Sequence, residues 1–184
     1  MATIDRCRAI LAEIERVLAG VDEAELAALR QAILEAGRIA VYGLGREGLV
    51  MRGFAMRLMH LGLPVAVVGD MTTPPLGAGD LFLVSCGPGY LSTVEALMRV
   101  AQDAGAHVAM ITAQPQASLP QRADLLVTLP AQTMAEAEQS SSEQAMGSAF
   151  EQAMWVLFDG LVPQLQEALD QSADDLRRRH TNLE

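Results

Sequence analysis

The apolar, partly β-branched run Ile39-Ala40-Val41-Tyr42 breaks into three closely spaced glycines, Gly43, Gly45 and Gly48. From about Glu47 to Leu61, apolar residues then recur at helical spacing. A short run of this kind suits a buried strand, the glycines suit a tight turn, and the periodicity predicts an amphipathic helix. Strand, glycine turn and helix open a βαβ unit and aim unpaired backbone N–H groups at one spot. An open α/β sheet keeps its ligand at such a spot, so the site is expected there.

The rest of the chain repeats the alternation. Val65–Val68, Asp80–Ser85, His107–Thr112 and Asp124–Leu129 read as further strands. A second glycine turn, Cys86-Gly87-Pro88-Gly89, precedes a helix from Leu91 to Ala104 that ends at a C′ glycine, Gly105. Alternating strands and helices imply one α/β domain over residues 1–184, with a parallel sheet between helical layers. Before the first strand, residues 4–36 carry two amphipathic helices broken near Gly20-Val21-Asp22, with Asp22 as N-cap. Their apolar stripes either clasp the sheet or pair with another subunit. Pro130 to Gln144 is polar and reads as a long loop. A long helix from Met146 or Gly147 toward Leu169, with a possible kink at Pro163, is apolar nearly all round. That pattern suits burial between the sheet and a partner subunit. A short charged helix and tail, residues 172–184, close the chain.

Composition narrows the partners. Half the residues are apolar, enough for a sizeable core at 184 residues, yet aromatics make up only 4%. A net charge of −10 argues against nucleic acid. Arg177-Arg178-Arg179 reads as a solvated helix end. Cys7 and Cys86 are far apart in sequence and form no disulfide framework or metal spacing, which suits a reducing compartment. With no signal-peptide core and no membrane-length apolar run, the expectation is a cytoplasmic protein with no membrane partner.

At these residues the chain resembles the sugar isomerase (SIS) domain family, and within it the 6-phospho-3-hexuloisomerases. The matching pieces are Gly43-x-Gly45-Arg46-x-Gly48-Leu49, the run Phe54-Ala55-Met56-Arg57-Leu58-Met59-His60-Leu61-Gly62, and Val67-Val68-Gly69 leading to Thr72-Thr73-Pro74. To these belong Gly79-Asp80-Leu81, Met146-Gly147-Ser148-x-Phe150-Glu151-Gln152 and Arg179-His180-x-Asn182-Leu183-Glu184. The resemblance implies a three-layer, flavodoxin-like αβα sandwich with a five-stranded parallel sheet, a homotetramer (or homodimer), and no cofactor or metal. It implies a sugar or sugar-phosphate ligand, and interconversion of 3-hexulose 6-phosphate and fructose 6-phosphate through an enediol. Such a reaction needs a carbon base, an acid–base partner for the oxygens, and exclusion of water.

Glu151 is the expected carbon base, a partly buried carboxylate whose pKa should be raised. Its bland reading is a first-turn glutamate favoured by the helix dipole. His60, near a helix C-terminus, is either a dipole-stabilised residue or a proton-transfer group for sugar oxygens, acting across a subunit boundary. His180 is the alternative, in a tail that is either loose or reaches a neighbouring site. The expected substrate-binding set is Gly43, Gly45, Arg46, Glu47, Gly48, Thr72, Thr73, Ser85, Cys86, Gly87, Gly89 and Ser142.

The two turns depart from the family pattern. Glu47 stands where the first turn should offer a serine, and Cys86-Gly87-Pro88-Gly89-Tyr90-Leu91 stands where the pattern is Ser-Gly-Ser-Gly-Glu-Thr. Each lost neutral hydrogen bond is worth about 1 kcal/mol. A carboxylate about 5 Å from a phosphate dianion opposes it by several kcal/mol, even at an effective dielectric near 20. Glu47 therefore matters most, and two orientations stay open: into the site, or out to solvent as an ordinary first-turn acid. A cationic or hydroxyl-rich ligand end suits the first orientation better than phosphate. The functional readings are accordingly an isomerase acting on a phosphosugar or on a relative with a different anchoring group and, alternatively, a non-catalytic protein that binds a carbohydrate derivative; a stable oligomer with a degenerate pocket is the bland third.

Overall fold

The computed structural model describes residues 2–133, 142 and 144–183. Five parallel strands form one sheet in the order β2-β1-β3-β4-β5: β1 Ile39–Tyr42, β2 Val65–Val67, β3 Leu81–Ser85, β4 His107–Thr112 and β5 Leu125–Thr128. Two helices precede the sheet, α1 Thr3–Ala19 and α2 Glu23–Glu35. The others are α3 Gly45–His60, α4 Ser92–Asp103, α5 Ser148–Ala168 and α6 Ala173–Arg179. This is the expected flavodoxin-like order. Elements differ from the sequence reading by one or two residues at their ends; α3 begins at Gly45, two ahead of Glu47.

Strand order explains where the helices lie. From β1 the chain moves outward to β2, whereas from β3 it moves the opposite way to β4. Right-handed crossovers then put α3 and α4 on opposite faces of the sheet. Alternation along the strands serves both layers. Ile39, Val41, Leu81 and Leu83 face the core shared with α1, α2, α3 and α5, while Ala40, Phe82 and Val84 face α4. The N-terminal helices clasp the sheet within the chain: α1 packs on α5 and α2 on β5. Asp22 caps α2 by accepting the Ala24 N–H at 2.8 Å, as its side-chain type predicts. Glu25, in the first turn of α2, accepts the Thr128 N–H of the edge strand β5 at 2.6 Å, satisfying an outward backbone donor.

Helix α5 continues through Pro163 and buries nine residues in the chain's own core, leaving Trp155 and Val156 nearly half exposed. The basic end of α6 is solvated, with Arg177 paired to Asp174 and Arg178 to Asp175. Among the described residues, no helix is long and apolar enough to cross a membrane.

Candidate active site

β1 and β3 are neighbours, and the chain leaves their C-terminal ends in opposite directions. That divergence opens a crevice between the two glycine turns. In the first turn, close packing dictates the residue type: a Cβ on Gly48 would sit 2.5 Å from the Gly43 carbonyl oxygen, and one on Gly43 would sit 3.0 Å from the Gly48 nitrogen. Gly45 has space around it but a φ of +56°, in the left-handed region. Helix α3 can thus start directly at the strand end. The second turn is braced from β4, where Thr112 Oγ1 donates to the Cys86 carbonyl at 2.8 Å and the Ala113 N–H donates to that of Gly87 at 3.1 Å.

Glu47 turns into the crevice, which overturns the solvent-facing orientation. Ser85 Oγ donates to Glu47 Oε2, and the Gly87 N–H donates to the same oxygen at 3.1 Å. Burial raises the Glu47 pKa above the ordinary carboxylate range and the Glu151 charge adds to this, against the lowering by the Ser85 and Gly87 hydrogen bonds. The turn is too tight for a side chain at Gly87, whose Cβ would lie 3.0 Å from both Glu47 Oε1 and the Phe150 ring.

Glu151 lies in the first turn of α5, its side chain 14% exposed. Arg46 Nε approaches Glu151 Oε2 to 2.7 Å, while Arg46 Nη1 donates to Ser148 Oγ at 2.8 Å. Burial raises the Glu151 pKa, as anticipated for a partly buried carboxylate, and Arg46 pulls it back. Glu47, Arg46 and Glu151 line one cavity of about 610 Å³, together with Pro88, Leu91 and the stretch 144–148. Two carboxylates, one guanidinium and an apolar wall form a pocket fit for proton transfer on a small polar molecule.

Other expected residues lie elsewhere. Cys86 is fully buried in the core on the α4 side; burial and the Glu47 charge push its thiol up to about 12. Its side chain turns toward α4 and away from Glu151, because alternation at the end of β3 points Ser85 one way and Cys86 the other. Gly89, at φ +79°, shapes the turn against Gln114 and Ala117. Thr72 lines a separate groove of about 560 Å³ along β2, and the Thr73 hydroxyl donates to Val67 O and Asp70 O, each at 2.7 Å. The loop after β2 thus holds both threonines apart from the Glu47–Glu151 cavity. Ser142 Oγ accepts the Gln144 N–H at 3.0 Å and so braces a residue of the cavity wall; Ser140 and Ser141, in the expected loop, lie outside the described residues.

His60 is the last residue of α3. With a rise of about 1.5 Å per residue, it lies roughly 20 Å along the helix from the glycine turn. The helix stops there because Gly62, at φ +86°, and Leu63 donate back to Met59 and Leu58. His180 stacks on it with ring centroids 5.2 Å apart, and Arg179 donates to the His60 carbonyl at 3.0 Å. One chain brings the two histidines together, away from Glu151. The sequence reading missed Ser148 and Gln144 as parts of the cavity; only the position of Ser148 beside Glu151 in the matching segment signalled it. Among the described residues, no group of three or more His, Cys, Asp or Glu is placed to hold a metal.

Comparison with known proteins adds an independent line. The SIS domain model matches residues 32–156. A Mycobacterium gastri protein named 3-hexulose-6-phosphate isomerase is 41% identical over 172 residues, covering 94% of this chain and 86% of the relative. A Bacillus subtilis protein of the same name is 32% identical, with both chains fully covered. A crystal structure from Methanococcus jannaschii, described as inferring a 3-hexulose-6-phosphate isomerase function, superposes with a TM-score of 0.85 at 27% identity, covering 98% of this chain and 99% of that one. With the sheet order, the two glycine turns and a family match over residues 32–156, the chain belongs to the SIS domain family.

Proposed function

We propose that the chain is a sugar-phosphate isomerase that interconverts 3-hexulose 6-phosphate and fructose 6-phosphate. The observation that carries this reading is Glu151, a carboxylate with a raised pKa in a cavity between the two turns, in a chain aligned along nearly its whole length with relatives named for that activity. In the ketose-to-ketose shift, Glu151 takes the proton from C2 of the 3-hexulose and leaves a cis-enediol across C2 and C3. The same carboxyl returns the proton to C3, while one proton passes from the oxygen on C2 to the oxygen on C3. No atom is lost or gained. Arg46 keeps part of the Glu151 population ionised and ready as a base. The cavity wall from 144 to 150 limits water at the enediol.

The oxygens need a proton carrier, and His60 or His180 serves best from a neighbouring subunit, since within one chain both sit at the far end of α3. This reading goes with a homotetramer, working in the cytoplasm without metal or cofactor. Exposed Ile4, Leu11, Trp155 and Val156 are apolar surface that subunit contacts would cover.

The test is solvent deuterium incorporation into fructose 6-phosphate. Label should enter at C3, and Glu151→Gln should slow it by about 10²–10⁴-fold while ligand-induced thermal stabilisation persists. Exchange that is unchanged in Glu151→Gln, or absent from the wild type, would sink the assignment. The non-catalytic alternative predicts ligand stabilisation with no exchange at all.

A further inference from the structure

Glu47 lines the cavity, and two donors behind it are already taken. A hydroxyl at the end of β3 and the backbone N–H beyond it both point at Glu47, which itself sits in the first turn of α3. A hydroxyl and a backbone N–H facing a helix start form a seat for an anion. Here the anion in that seat is a side chain of the protein. The fit is close, since Gly87 leaves no room between Glu47 Oε1 and the Phe150 ring.

We propose that Glu47 is a specificity-determining residue: its carboxyl holds the donors that a phosphate would use, so the phosphate end of a sugar enters only with that carboxyl protonated. This rests on reading the cavity as a sugar-phosphate site. An ionised Glu47 beside a dianion repels it by more than the two hydrogen bonds could offset. A neutral carboxyl instead offers an O–H to a phosphate oxygen. Binding therefore takes up one proton, and by linkage the affinity falls as pH rises above the Glu47 pKa of the free protein.

The surroundings favour that proton. Among the described residues, the charged or titratable groups at Glu47 are Glu151 on α5, Arg46 beside it on α3 and paired to Glu151, and Cys86 at the end of β3, whose thiol stays neutral. Burial and Glu151 push Glu47 toward protonation before any ligand arrives, and the ligand's charge pushes further. A serine at the same place would bind phosphate without a proton.

Isothermal titration with sulfate and with fructose 6-phosphate, in buffers of different ionisation enthalpy, reads the protons directly. Sulfate has no proton to gain between about pH 6 and 8, so any uptake with it belongs to the protein. The wild type should take up roughly one proton per ligand and lose about tenfold in affinity per pH unit at the alkaline end. Glu47→Gln and Glu47→Ser should bind sulfate about tenfold or more tightly at pH near 8 and take up none. Binding confined to these variants supports the inference equally. Wild-type binding without proton uptake overturns it, as does uptake that survives in Glu47→Gln, or no binding by any of the three. The wild-type measurement stands even where a variant does not fold. Deuterium exchange into fructose 6-phosphate, run on the same samples, separates the two failures: exchange without proton uptake removes only the role of Glu47, and uptake without exchange removes only the isomerase.

Discussion

Arg46 Nε lies 2.7 Å from Glu151 Oε2, joining the first turn of α3 to the first turn of α5, although the arginine side chain is 58% exposed and the glutamate 14%. The pair opposes burial, which raises the Glu151 pKa and leaves less of the carboxylate ionised as a base. Arg46→Met should therefore raise the Glu151 pKa and move the acidic limb of the pH–rate profile to higher pH. Activity should fall most at low pH and recover toward alkaline pH, where Glu151 ionises without help. An unshifted limb in kcat against pH would mean that Arg46 acts only through substrate binding.

Glu47 should destabilise the folded chain at neutral pH. Its folded pKa lies above the ordinary value of 4.5, so the folded state binds the proton more tightly than the unfolded one. Its contribution is then fully favourable below the unfolded value and is lost as pH rises through the raised folded value. Glu47→Gln, which cannot ionise but can still accept from Gly87, should melt above the wild type by a margin that grows with pH. Thermal melts from acid to alkaline pH check the sign; a margin that shrinks with pH would reverse it.

If His60 serves a neighbouring site, two defective variants should rescue each other. Glu151→Gln and His60→Asn, refolded together in equal amounts, should recover roughly a quarter of wild-type activity, the chance that a site draws both intact residues from a random mixture. Each variant refolded alone should stay inactive. Rates in the mixture equal to the average of the separate variants would place both groups in one chain's site or remove His60 from the chemistry.

The first glycine turn should tolerate change unevenly. Gly48→Ala puts a Cβ 2.5 Å from a backbone oxygen that cannot rotate away. It should cost about 2–3 kcal/mol as an overpacked contact. Gly45→Ala meets open space and only the left-handed φ of +56°, for about 1 kcal/mol. Urea denaturation measures both, and an equal or reversed order would contradict the packing account.

Several parts of this protein were legible from residue order because their causes are local. The strand at Ile39, the cap at Asp22 and the helix stop at Gly105 each depend on neighbours within a few positions, and the structure places them where the pattern put them. The two glycine turns were legible for the same reason, and with the strand alternation they located the crevice. The direction of Glu47 was not: its partners Ser85 and Gly87 stand about forty positions away, beyond any helical or strand period. Nor did the sequence separate Thr72 and Thr73 from the cavity, since that separation follows from the loop folding back onto the edge of β2.

The sequence by itself determined the alternation of strands and helices and the residue types that can move a proton, because those depend on local sterics and chemistry, and its motifs carried the family resemblance. Only the tertiary structure decided that Glu47 occupies the anion seat, that Arg46 meets Glu151, and that His60 and His180 gather at the other end of α3. Those contacts arise from the order in which five parallel strands lie side by side, and residue spacing along a chain carries no measure of that order.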